Sequence, residues 1–330
     1  MNIIEISQKF PNEIDVIKHF EKIRWGKQPL CVYCGSKDIS ERAQDNRYKC
    51  YACNKTFSVT VNTQLHNTRI PLKTWIYAFS IVSDAKKGLS ALQLQRNLNI
   101  SYPTAWAMYH KIRELMAMEN ENIQLSGVTE QDETFIGGKP RKQSNPKGLP
   151  QKRNKELDAD IQGLKDKGFQ IKRGHRQVAC DIDVKRGRGS QKMTPVVGIV
   201  QRDGNVVAEV MRHLTYDKLK ELVNKYVDKD ESVLITDEYS GYNKFSKIIE
   251  HISIDHKTMY SYKGINTNTI ESFWAIVKRQ IIGQHHSVSV KYLPNYVAET
   301  VFKFNNRKKD DMFITLIKNS MVEIEKGQNE

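Results

Sequence analysis

The stretch Ser232-Val-Leu-Ile-Thr-Asp237-Glu238-Tyr239-Ser240-Gly241 decides how this chain of 330 residues is read. Its first half is a run of apolar and β-branched side chains. An acid and then a Ser-Gly turn stop it. Such a run suits a buried parallel strand. Ligands in sheets of that kind gather at the carboxyl ends of strands, where Asp237 stands.

Reading upstream, Gly127 to Gly138 predicts a strand that carries Asp132 and Glu133 and closes on a double-glycine turn. Thr194 to Val200 and Asn205 to Val210 predict two more strands, joined by the turn Arg202-Asp203-Gly204. Tyr216 to Val227 reads as an amphipathic helix, with Leu219, Leu222, Val223 and Tyr226 on one face. Downstream of Asp237, the apolar residues Ile270, Phe273, Trp274, Val277 and Ile281 follow helical spacing. That helix carries Glu271. Taken as the third residue after an Asn268 N-cap, Glu271 is equally suited to folding back onto the backbone as a capping box. The order of three strands, a helix, a strand ending in Asp and a helix bearing Glu fits a ribonuclease-H-like sheet. In such a sheet Asp132, Asp237 and Glu271 converge on one edge. Three carboxylates suit hard divalent cations, Mg2+ or Mn2+, and a pair of such ions suits phosphodiester chemistry. Lys278, seven residues after Glu271, is either a solvated lysine or, with the adjacent Arg279, a candidate contact to a DNA phosphate.

Near the N-terminus, Cys31-Val-Tyr-Cys34 and Cys50-Tyr-Ala-Cys53 are two Cys-x-x-Cys pairs with 15 residues between them. Each pair lets one tight turn present two thiolates, and two such turns complete a closed, structural Zn2+ site. Arg47 to Lys49 and Lys55 to Phe57 flank the second pair as a basic β-hairpin. Zinc ribbons contact nucleic acid or protein, so the ribbon alone does not choose a partner. The fifth cysteine, Cys180, stands apart and reads as a buried apolar residue. Between 70 and 118, Ser90 caps one helix and Ser101 begins another, with Pro103 in its first turn. Two helices joined by a short polar turn fit a helix-turn-helix, or an ordinary helical hairpin. In the first reading His110, Lys111 and Arg113 on the second helix face DNA.

Lys and Arg total 52 against 38 Asp and Glu, a formal net charge of +14. That excess points to a polyanionic partner, nucleic acid first. Hydrophobic residues at 39% exclude wholesale disorder. No run approaches the roughly 18 apolar residues of a membrane span, and the N-terminus lacks a signal-peptide core. A cytoplasmic, nucleoid-associated protein is expected, with no membrane partner. Residues 139–178 carry twelve Lys or Arg and four Asp or Glu, with Pro140, Pro146 and Pro150 near the start. They read as a basic insertion between two strands, either a solvated loop or a phosphate contact.

With these pieces in order, the chain resembles the bacterial insertion-sequence transposases that set a zinc ribbon before an integrase-like DDE domain. The resemblance rests on CVYCGS…RYKCYACNKTFS, KGLSALQLQRNLNISYPTAWAMYHKIR, DETFIGGK, TDEYSGY, NTNTIESFWAIVKR and HHSVSVKYLPNYVAETVFKFNNR. It implies that Asp132, Asp237 and Glu271 are the metal-binding triad, with 33 residues between the last two. Asp132 and Asp237 each have an acidic neighbour, Glu133 and Glu238. Successive strand residues face opposite ways, so one of each pair should face the metals. The pattern does not choose between them, and the resemblance favours the Asp. His286 matches a tail His and is read as structural.

The expected fold is multidomain: a small β zinc ribbon, an α-helical helix-turn-helix segment and an α/β ribonuclease-H-like catalytic domain. The expected boundaries are 1–20 for an N-terminal helix, 21–65 for the ribbon, 70–118 for the helix-turn-helix, 127–310 for the catalytic domain and 311–330 for a tail. The implied activity is cleavage at terminal inverted repeats and 3′-OH strand transfer into target DNA. A homodimer or larger synaptic assembly would hold both ends. A ribbon and helix-turn-helix regulator without catalysis, or a nuclease that cuts without joining, are the alternatives.

Overall fold

Local capping and periodic burial explain most of the elements that position the site. A computed structural model describes residues 1–121, 123–137, 162, 163, 166, 193–254, 266–309 and 312–324. The chain divides into two compact units, Met1–Ile136 with Thr194–Glu330, and Gly137–Met193. The expectations for the basic block at 139–178 and for Cys180 lie outside the described residues, apart from three scattered positions in the block.

The N-terminal stretch holds two helices where one was expected, α1 (Ile3–Lys9) and α2 (Glu13–Trp25). Asn2 and Glu5 cap α1 reciprocally, the Glu5 N–H donating to Asn2 Oδ1 at 2.9 Å. Pro11 and Asn12 interrupt the run, and Asn12 caps α2 with Asp15. The ribbon follows as an antiparallel sheet of β1 (Ile39–Arg42), β2 (Arg47–Cys50) and β3 (Thr56–Phe57). The expected hairpin is present, Tyr48 pairing with Phe57, and β1 is added on its other side.

Helices α3 (Leu72–Asp84), α4 (Ala91–Leu98) and α5 (Tyr102–Met118) come next. The Ser90 hydroxyl accepts from the Gln93 N–H at 3.1 Å, and Asn99 ends α4 in the left-handed region at φ 49°. Together with α1 and α2 these helices bury Phe20, Trp75, Phe79, Leu94 and Ile112 in one core. The C-terminal helix, called α9 below (Met312–Ser320), adds Phe313, Leu316 and Ile317 to that core. Within the segment expected as a tail, Met312–Ser320 is a packed helix whose Phe313, Leu316 and Ile317 fall at helical spacing and are buried.

The five-stranded sheet has the order β6-β5-β4-β7-β8. Its strands are β4 (Leu125–Ile136), β5 (Thr194–Gln201), β6 (Val206–Val210), β7 (Val227–Asp237) and β8 (Glu250–Ile254). The first three in sequence pair antiparallel, and β7 and β8 add on parallel. This is the ribonuclease-H-like α/β arrangement expected, with β8 as a further strand. One sheet face packs on α6 (Tyr216–Tyr226) through Val197, Ile199, Leu222 and Val223. The other packs on α7 (Asn268–Gln280) and α8 (Leu293–Asn305) through Val196, Val200, Phe273, Trp274 and Val301. Val196 to Val200 of β5 is buried on both faces, which is why it reads as a continuous apolar run.

Candidate active site and metal centres

The site is assembled by strand register. Gln131 of β4 pairs in parallel with Thr236 of β7, so Asp132 and Asp237 stand side by side, Asp237 at the carboxyl end of its strand. Carboxylate oxygens of Asp132, Glu133 and Asp237 all lie within 4.8 Å of one another. Burial raises the Asp132 carboxyl to about 7, and the charges of Glu133, Asp237 and Glu271 add to that rise. Anionic oxygens crowded in this way repel one another and favour a proton or a cation between them. The donor set, oxygen only, fits Mg2+ or Mn2+.

The acidic neighbour of Asp132 takes a different position. Glu133 faces the α6 side of the sheet, where the buried Tyr242 hydroxyl donates to its Oε2 at 2.8 Å. One of its carboxylate oxygens still lies within the group. Opposite facing of strand neighbours thus separates the two side chains without removing Glu133 from the cluster. Glu238 is exposed. At Asp237, Oδ1 accepts from the Tyr239 N–H at 3.1 Å.

Glu271 lies outside the 4.8 Å group, and its proximity registers through its charge on Asp132. The N-cap of α7 is Thr267, so Glu271 follows the N3 position, and the Asn268 capping box weighed as the alternative role for Glu271 is not formed. Glu271 Oε1 instead accepts from the Thr267 hydroxyl at 3.2 Å. The seating of α7 accounts for its nearness. Asp132 pairs with Gly198 across the β4–β5 ladder. A Cβ at Gly198 would stand 2.9 Å from the Trp274 ring and 3.2 Å from Ile270 Cδ1. A hydrogen at that position therefore lets α7 lie directly over the strand beside Asp132.

A second contact fixes the same helix, and sequence reasoning missed it. Glu130 is fully buried two residues before Asp132. Its Oε2 accepts from the N–H groups of Thr269 and Ile270 at 2.9 and 3.0 Å, at the positive end of α7. Its Oε1 accepts from the Thr269 hydroxyl and from Arg202 Nε, at 3.0 and 2.8 Å. Arg202 Nη2 also donates to the Asn266 carbonyl at 2.8 Å. The strand that carries Asp132 thus holds the helix that carries Glu271. The only sequence signal was an acid at i−2, on the same strand face as Asp132. Lys278 and Arg279 are exposed at the last turn of α7.

The four ribbon cysteines form a second group within 4.8 Å, Cys31, Cys34, Cys50 and Cys53. The Cys31–Cys53 and Cys34–Cys50 sulfur pairs are each 3.6 Å apart. A tetrahedron with Zn–S bonds of ~2.3 Å has edges of about 3.8 Å, so the thiols fit one Zn2+. Burial opposes ionisation of Cys31, but backbone N–H groups of Tyr33 and Cys34 and the neighbouring thiols draw it down to about 7.

The helix-turn-helix candidates are placed differently from expectation. His110 is 6% exposed and Arg113 2%. Arg113 Nε donates to Glu299 Oε2 of α8 at 2.8 Å, and its guanidinium lies between the Tyr109 and Tyr296 rings, 3.7 and 3.9 Å from their centres. Side chains so enclosed do not reach a DNA backbone, which corrects the role expected of His110 and Arg113. The reason is that α5 turns this basic face toward α8. Lys111 is partly exposed and donates to Gln64 Oε1 and Glu114 Oε2 at 3.1 and 3.2 Å. Among the described residues, no helix is long and apolar enough to cross a membrane.

Ribbon, helices and mixed sheet define a multidomain α/β protein in which, among the described residues, one thiol group and one carboxylate group could each hold a metal ion. Residues 171–305 match the ISXO2-like transposase domain and residues 11–56 the transposase zinc-ribbon domain. Together the matches cover more than half of the chain, which belongs to the insertion-sequence transposases that join these two domains. The first match includes Asp237 and Glu271 and begins after Asp132. Among curated proteins there is no match. Among solved structures, the chain is similar to one in a pre-cleavage Mos1 transpososome, at 11% identity over 76% of this chain and 80% of that one, TM-score 0.25. It is also similar to one in the Mos1 Strand Transfer Complex, at 10% identity over 76% and 79%, TM-score 0.26.

Proposed function

We propose that this transposase cuts and joins DNA at a divalent-metal site formed by Asp132, Asp237 and Glu271. The observation that carries the reading is the carboxylate cluster at the edge of two adjacent parallel strands, beneath a helix tied to one of them. Bound there, Mg2+ or Mn2+ supplies Lewis-acid stabilisation of the charge that builds on a phosphodiester and activates the attacking oxygen. Asp132 and Asp237 are fixed by the sheet, and Glu271 approaches from α7. Asp132, with its carboxyl raised to about 7, gives up its proton when the site is loaded. Lys278 and Arg279 hold a DNA phosphate alongside. Hydrolysis at the element's terminal inverted repeats frees a 3′-OH, which attacks target DNA without a covalent protein intermediate. A homodimer or larger assembly brings two ends together. The four ribbon cysteines hold a structural Zn2+, and the ribbon and helices α4 and α5 engage the repeats.

Calorimetric titration with Mn2+ tests the metal site. Binding by the wild-type chain that is lost in Asp237→Asn and Asp132→Asn, with folding intact by circular dichroism, is expected. Binding unchanged in both variants would overturn the assignment. DNA binding has its own measure: each neutralised phosphate contributes about −0.9 to the slope of log affinity against log salt. A flat slope would contradict engagement of the backbone by the basic surface.

A further inference from the structure

Two of the three side chains that meet in the carboxylate cluster belong to the expected triad, and the third does not. Glu133 brings a carboxylate oxygen within 4.8 Å of those of Asp132 and Asp237, whereas Glu271 stays outside that distance. Strand register explains how a side chain from the opposite sheet face arrives there. The parallel ladder of β4 and β7 runs as far as Gln131 and Thr236, and β7 ends at Asp237. Glu133 therefore stands one residue past the end of β7, and its strand partner is Val197 of β5. On its β7 side the ladder has stopped, so the side chain can bend round the sheet edge toward Asp132 and Asp237.

The chain that leaves β7 returns to hold this side chain. After Asp237, the turn Ser240–Tyr242 brings the Tyr242 hydroxyl to 2.8 Å from Glu133 Oε2. Tyr242 is 1% exposed, and its ring lies edge-on to those of Tyr239 and Phe245 at 5.6 and 5.7 Å. A hydroxyl on so enclosed a ring is a fixed donor. Fixed donors orient the carboxylates that ligate metals. A carboxylate has about four lone-pair sites, so it accepts from a hydroxyl and still has oxygens for a cation. Glu133 is buried, and crowding its charge against two others is costly until a cation sits among them. The position of Tyr242 five residues after Asp237 links the two: one segment of chain fixes both Asp237 and the donor to Glu133.

We propose that Glu133 is a ligand of the first divalent cation to enter the site, together with Asp132 and Asp237, and that Tyr242 is its positioning residue. Glu271 is not needed for that first binding and serves a second, weaker one. The preformed trio takes Mg2+ or Mn2+, as its oxygen-only donors require. This inference deepens the metal-site reading above and rests on it.

The test is a calorimetric titration of the full, zinc-loaded chain with Mn2+, with no DNA present, read at the tightest binding event. Tyr242→Phe should weaken that event about tenfold, as losing a hydrogen bond to a metal ligand does. Glu133→Gln should weaken it further. Glu133→Asp, which keeps the charge but shortens the reach, should weaken it too. Glu271→Gln should leave the event in place. Glu238→Gln, which removes the same charge from an exposed neighbour of Asp237, should also leave it in place. Binding that is lost in Asp237→Asn but unchanged in Glu133→Gln would overturn the inference and leave the metal site standing. A loss in Glu133→Gln no larger than in Glu238→Gln would do the same, since charge alone would then explain it. Equal dependence on Glu271 and Glu133 would overturn the order of filling. If Glu133→Gln melts below the titration temperature, Tyr242→Phe carries the test, because it keeps every acid: an unchanged affinity there would overturn the positioning role. No Mn2+ binding by the wild-type chain would instead overturn the metal-site reading, and the inference with it.

Discussion

At residue scale, Glu130 shows how one buried acid serves a site it does not enter. Its two oxygens accept four hydrogen bonds, two of them from the N–H groups that open α7. Glu130→Gln keeps the shape but removes the charge that meets the helix dipole and Arg202. A loss on the order of 2 kcal/mol is expected, as for hydrogen bonds to a charged group, read from thermal melting. Amide exchange at Thr269 and Ile270 should speed up in the same variant. Unchanged melting and exchange would show that the helix start is held elsewhere. This contact was not legible in the sequence. An acid two positions before Asp132 looks the same whether it binds a metal or caps a helix 139 residues away. Asp237 stood out because it ends an apolar run, whereas Asp132 lies in the polar stretch Thr129 to Thr134, and its choice over Glu133 came from the family resemblance. The burial of His110 and Arg113 was not legible, because their partner Glu299 is 186 residues beyond Arg113.

At the scale of elements, two junctions carry the architecture. The first is α7 on β5, where Trp274 occupies the space a side chain at position 198 would need. Gly198→Ala should destabilise by about 1–3 kcal/mol through overpacking and displace α7. Melting no lower than wild type would show that Trp274 gives way freely. The second is α5 against α8 and the turn Ile281–His285, where His110 and His285 are each lowered to about 4. Burial is the main cause for both, with the Arg113 charge next. In the unfolded chain both titrate near 6.5, so that state binds more protons between about 4 and 6.5. Their contribution to stability is complete above about 6.5 and is lost as pH falls toward 4. The melting temperature should fall across that window, and His110→Leu should flatten the fall. Burial raises the Glu299 carboxyl, but Lys303 and Arg113 outweigh it and hold it at about 2, so its own loss comes only below about 4.5. The strands and amphipathic helices were legible from period alone. The union of α1, α2 and α9 in one core was not, since it joins the two ends of the chain.

At the scale of the whole molecule, the account combines a structural metal, a basic surface and a reactive carboxylate cluster in one transposase. The ribbon should release about one Zn2+ per chain to a chelating dye, and Cys34→Ser should bind less. Trp25 packs edge-on to Tyr48 and Phe57 at 5.7 and 6.1 Å, so its fluorescence should change as zinc leaves. A fluorescence signal indifferent to chelation would contradict a ribbon that depends on its metal. The central claim concerns the cluster, and the most direct measurement is a cleavage and joining assay. Purified protein, with or without Mg2+, is incubated with DNA carrying the flanks of its own gene and a target plasmid, beside Asp237→Asn and Glu271→Gln. The account predicts Mg2+-dependent nicks at the repeat boundaries and joined product, both absent from the two variants. Cleavage and joining that persist in the variants, or cleavage without any joined product, would contradict it.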